Sequence, residues 1–86
     1  MEPATAASVR DAIREIVELQ LRQGAPPEVG PNLDRLIAAG FLREEAMTLI
    51  GCVLSRELSH ALESGLPFDA QRYLDGLAAL PAMRWD

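Results

Sequence analysis

Apolar residues recur at i, i+3, i+4 and i+7 along most of the chain, the rhythm of amphipathic helices, and nowhere alternate long enough to suggest a half-buried strand. The longest such stretch is 43–64, where Ala46, Met47, Ile50, Val53, Leu54, Leu58 and Ala61 form one stripe. Glu44 and Glu45 stand in its first turn, where the positive end of the helix dipole favours them, and Gly65 ends it. A first helix is predicted over 6–23, capped by Thr5 or Ser8 and closed by Gly24, with Val9, Ile13, Ile16, Val17 and Leu21 as its buried stripe.

Three prolines and Gly30 within Ala25 to Pro31 mark a connector with one turn at Pro26-Pro27. A short second helix over 31–39 then presents Leu33, Leu36 and Ile37 and stops at Gly40. The fourth, over 69–80, has the clearest start: Asp69 can cap, while Phe68 and Tyr73 bracket it as a hydrophobic staple. Pro81 stops it, and its buried side is expected to hold Ala70, Tyr73, Leu74, Leu77 and Ala78. Gly76 costs up to ~1 kcal/mol against Ala in a helix, which points to close packing there. The pattern predicts one all-α domain over 1–86, a compact four-helix bundle-like fold with the long third helix at its centre.

Two polar residues interrupt the apolar faces. Glu57 projects within ~20° of Ile50, and Gln20 lies near the direction of Ile13. A shielded carboxylate needs an answering donor, so Glu57 should meet Gln20 or an arginine. The pattern leaves open whether Gln20 and Glu57 meet within one subunit or across two.

Composition narrows the class. The 86 residues permit one modest core, and 49% apolar against 24% charged residues place the chain among globular proteins. A net charge of −5 argues against a nucleic-acid binder, which needs a concentrated positive field. All eight basic residues are arginine. The single Cys52 excludes an intramolecular disulfide and a cysteine-rich zinc site, and suits a reducing compartment. Met1-Glu2-Pro3 lacks the basic start of a secretory signal, and the longest apolar run is too short to span a bilayer. A cytoplasmic protein without membrane association is the expectation.

Little of the chemistry-bearing content forms a motif. Glu57 and His60 make a Glu-x-x-His pair, the spacing by which ferritin-like bundles hold two irons. Such a site needs a second pair, and with one histidine in the chain only a symmetric dimer could supply it. Gly51, Ser55 and Ser59 recur every four residues as a strip of small side chains that admits a close backbone, either helix four or a partner subunit. Cys52 has no adjacent cation to activate it, and Ser8, Asp11 and His60 lack the elbow and oxyanion loop of a hydrolase. Met83 and Trp85 in the tail are expected to fold back as core.

Taken together, IVELQL (16–21), PPEV (26–29), LDRLIAAG (33–40), EAMTLIGCVL (45–54) and PFDAQRYLDGLAALP (67–81) resemble a family of short bacterial all-helical proteins known only as a domain of unknown function. The resemblance implies histidines one turn apart on the first and third helices, including a His-Glu-x-x-His pattern that would overlie Glu44, Glu45 and Thr48. This chain carries Glu44 and Thr48 there, and Arg10 and Arg14 at the corresponding places on the first helix. Losing those nitrogens removes most affinity for a borderline metal, and added cations repel one. What the resemblance implies here is a divalent-metal site that is either lost or degenerate, with Glu44, Glu57 and His60 as its remnants. The expected function is a non-enzymatic protein-interaction or homo-oligomerisation module, with a homodimer or a helical protein as partner. The alternative is a metal-binding protein using Glu57 and His60 from each subunit of a dimer.

Overall fold

A computed structural model describes residues 6–82, with side chains from Val9 onward. Its elements are α1 (Ala6–Gln23), α2 (Val29–Ala38), α3 (Arg43–Ser64) and α4 (Ala70–Ala79), with no strand among the described residues. The fold is the expected all-α, bundle-like globule. α3 is its axis: α1, α2 and α4 each pack against it, α2 also touches both α1 and α4, and α1 and α4 do not approach one another closely. Met83 and Trp85 lie outside the described residues, as does Thr5.

Local chemistry explains the ends. α3 begins where Glu45 accepts the backbone N–H of Leu42 at 2.8 Å, satisfying a donor that no helical carbonyl can reach. It ends at Gly65, whose φ of 72° is left-handed and whose N–H closes on the Ala61 carbonyl. Asp69 caps α4 by accepting from the Arg72 N–H, and the Phe68 and Tyr73 rings sit 5.9 Å apart as the staple requires. The far end of α4 has a cap from outside the helix. Arg35 of α2 donates to the carbonyls of Leu80 at 2.8 Å and Leu77 at 3.0 Å, placing a cation at the negative end of that helix.

α2 starts two residues ahead of the predicted 31, at Val29. Pro31 occupies its first turn, where a missing N–H costs no helical bond, and the Pro26–Val29 turn leads directly into it. Val29 thereby becomes fully buried core.

The core joins Val17 of α1, Leu33 and Leu36 of α2, Met47, Ile50, Val53 and Leu54 of α3, and Tyr73, Leu77 and Leu80 of the α4 region. Five residues predicted inside are exposed instead: Val9, Ile16, Ile37, Ala70 and Ala78. The apolar stripe of each short helix is wider than its contact with α3, so its flank turns to solvent. A second correction concerns which helix meets the small-residue strip. α1 takes that side, with Ile13 Cγ2 only 3.3 Å from where a Gly51 Cβ would stand. α4 lies on the side of Val53 and Glu57, where a Cβ on Gly76 would come within 2.6 Å of Val53 Cγ1. Both close approaches occur at glycines, because only there can the backbones come so near.

Candidate functional site

Glu57 sits in the apolar face of α3 at 1% exposure, the only buried charged side chain among the described residues. Its carboxylate accepts from Arg72 Nε at 2.8 Å and from Arg56 Nε at 3.3 Å. α4 delivers Arg72 because the Asp69 cap fixes where that helix begins, while Arg56 reaches back from the adjacent position on α3. Of the two partners the sequence allowed, arginine is the one found. Gln20 turns elsewhere: its Oε1 accepts from the Tyr73 hydroxyl at 2.8 Å. The two polar intrusions therefore belong to separate pairs, both within one chain. Burial pushes the Tyr73 phenol up to about 12. No buried side-chain nitrogen or oxygen among the described residues lacks a hydrogen-bond partner.

The residues weighed as metal ligands do not converge. Glu44 is exposed at the start of α3 and paired with Arg14 of α1, and that hydrogen bond holds its carboxyl below the usual carboxylate range. Glu57 lies more than three turns further along α3, between two guanidiniums whose charge opposes a cation. His60 is exposed. Among the described residues no group of three or more His, Cys, Asp or Glu is placed to hold a metal ion. Positions 14 and 44, which the resemblance associates with histidine, are brought together as an ion pair. A parallel bond joins Arg43 to Glu18 at 3.0 Å and lowers that carboxyl in the same way.

Two clefts flank α3. One, of about 310 Å³, lies between α1 and α3 and is lined by Ile13, Met47, Gly51, Cys52 and Ser55, with Arg10 and Arg14 among its polar members. The small-residue strip thus has three fates: Gly51 is buried under α1, Ser55 lines this groove half-buried, and Ser59 is exposed. Cys52 is a free, half-buried thiol. The other cleft, of about 400 Å³, lies between α3 and α4 over Glu57, Arg56, Arg72 and Asp75. Its charges balance, two arginines against two carboxylates, and Glu57 is already engaged by both cations.

α1 also presents an apolar flank to solvent. Val9, Ile16 and Leu19 are 51%, 40% and 42% exposed on the flank of a helix whose other side fills the core, with Val9 also bordering the groove against α3. Val9 and Ile16 belong to the stripe expected to be buried, and Leu19, three residues beyond Ile16, extends their flank. No helix among the described residues is long and apolar enough to cross a membrane. Comparison with family models, with curated proteins and with solved structures finds no match to this chain.

Proposed function

We propose that this chain is a small cytoplasmic interaction module that self-associates or docks a helical protein and carries out no chemistry of its own. The observation that carries this reading is the outer stripe of α1, three large apolar side chains held in water by a domain too small to spare them. An exposed apolar row along a helix gains free energy when a second surface covers it. The state of the polar groups supports the same reading. Among the described residues the one buried carboxylate is bound by arginines, the buried phenol is bound by Gln20, and the histidine stands in solvent, so none of these three is poised as nucleophile, base or ligand. Resemblance to short bacterial all-helical proteins fits this picture, with the Arg14–Glu44 ion pair standing where those relatives carry histidine.

Light scattering across a concentration series, beside metal analysis of protein purified without a histidine tag, tests the reading. Association without stoichiometric metal is the expected result. A chain that stays monomeric and carries one metal per chain would overturn it.

A further inference from the structure

The outer face of α1 carries Val9, Ala12, Ile16, Leu19 and Gln23, a spacing that alternates three and four residues over two heptads and is the seam of a two-stranded coiled coil. All five are exposed. Ile16 and Leu19 supply the apolar centre of a two-helix contact, and Ala12 lets a second backbone come close.

The edges of this seam select the occupant. One edge is formed by Ile13 and Gln20, which turn toward this chain's own core and toward Tyr73. The other carries two exposed charges of opposite sign, Glu15 and Arg22. They are seven residues apart, about 10.5 Å along the helix axis, too far to pair with each other. Neither has a hydrogen bond or a close ion pair among the described residues, Arg22 having only the more distant pull of Glu18 one turn back, whereas Arg14, Arg43, Arg35 and Arg72 are all engaged.

Two geometries can be compared for a helix laid on this seam. A parallel copy would set each charged-edge residue against the opposite edge of its partner, placing Glu15 beside a glutamine and giving Arg22 no acid. An antiparallel copy sets like edges together, so Glu15 meets the partner's Arg22 and, by the two-fold, Arg22 meets the partner's Glu15. In the same register Ile16 packs beside the partner's Leu19, and Ala12 beside the partner's Gln23. Only the second arrangement satisfies both charges with the residues α1 already has.

Resting on the association reading above, we propose that α1 pairs antiparallel with α1 of a second copy of this chain, about a two-fold axis between Ile16 and Leu19, with two reciprocal Glu15–Arg22 bridges. The surface is self-complementary and the interface is isologous.

Sedimentation equilibrium of the full chain and four variants decides the matter: Glu15→Arg, Arg22→Glu, the two together, and Ile16→Glu. All four changes lie on the outer face, and circular dichroism confirms that each variant folds. Each single reversal replaces two attractions by two repulsions and should weaken the dimer about tenfold. The combined variant should return to within about twofold of the parent, since opposite signs again face each other. Ile16→Glu should leave monomer. If the combined variant is as weak as the two reversals added, the antiparallel pairing is wrong, while loss of the dimer in Ile16→Glu keeps association through α1. A dimer indifferent to all four variants also overturns the pairing and moves the interface elsewhere. A parent chain monomeric up to about 1 mM overturns the pairing of two copies and leaves only the docking of a different helical protein from the reading above.

Discussion

The Tyr73 hydroxyl donates to Gln20 Oε1 at 2.8 Å, linking α4 to α1 across 53 positions of sequence although those helices do not otherwise pack. The two partners differ in their access to water, since Tyr73 is 1% exposed and Gln20 only half-buried. Removing the glutamine strands a buried hydroxyl, whereas removing the hydroxyl frees an amide that can turn to solvent. Gln20→Ala should therefore cost about 1–3 kcal/mol and Tyr73→Phe about 1 kcal/mol or less. Urea denaturation of both variants checks the order, and a costlier Tyr73→Phe would contradict it.

The same phenol sets an alkaline limit. Its folded value of about 12 stands above the ordinary 10.0, so the folded chain binds the proton more tightly than the unfolded one. The neutral phenol's contribution is complete below pH 10 and is lost as pH rises toward 12. Stability measured by denaturant across that window should fall in the parent chain and fall less in Tyr73→Phe. Glu18 and Glu44 act at the acid end with the opposite sign. Both are lowered by their arginines from 4.5, so their contribution is present above that pH and is lost as pH falls through their folded values. Glu44→Gln should make the acid limb shallower.

For Glu57 the asymmetry runs between carboxylate and cation. Its side chain is 1% exposed, while those of Arg72 and Arg56 are 51% and 31% exposed. Arginines released from it can return to water, but a carboxylate deprived of Arg72 keeps only Arg56 in a shielded place. Arg72→Ala should cost about 2–4 kcal/mol, and Glu57→Leu, of similar volume, should fall within about 1 kcal/mol of the parent. Denaturation midpoints showing Glu57→Leu as the worse variant would mean that the carboxylate does more than fill its position.

Gly76→Ala offers a test of packing against propensity. The substitution gains up to ~1 kcal/mol of helix preference. It also drives a methyl to 2.6 Å from Val53 Cγ1 and 3.1 Å from Arg56 Nη2, an overlap that costs about 1–3 kcal/mol in a packed interface. A net loss is expected, and in a Val53→Ala background the same change should turn neutral or favourable. A double-mutant cycle with no coupling would show that α4 can shift to accommodate the methyl.

α3 and α4 were legible from the sequence because their limits depend on chemistry close at hand: Glu45 behind Leu42, glycine at 65, Asp69 with its staple. Glu57 was legible as a buried group because periodicity fixes azimuth along one helix. What periodicity does not fix is where a neighbour lies around that helix. For this reason periodicity assigns Val9 and Ile16 to the core although they face solvent, and the Gly51 strip receives α1 rather than α4. The Arg35 bonds to Leu77 and Leu80 were invisible for a related reason, as they join residues 42 and 45 positions apart with no local pattern to mark them.

That clasp has a consequence for how the molecule opens. The last turn of a short helix ordinarily unravels first, and its amides trade hydrogen for deuterium well before the rest. Here the guanidinium of Arg35 must let go of two carbonyls before α4 can unwind from that end. The last turns of α4 and α2 should therefore exchange together, as one cooperative unit built from two distant stretches of chain.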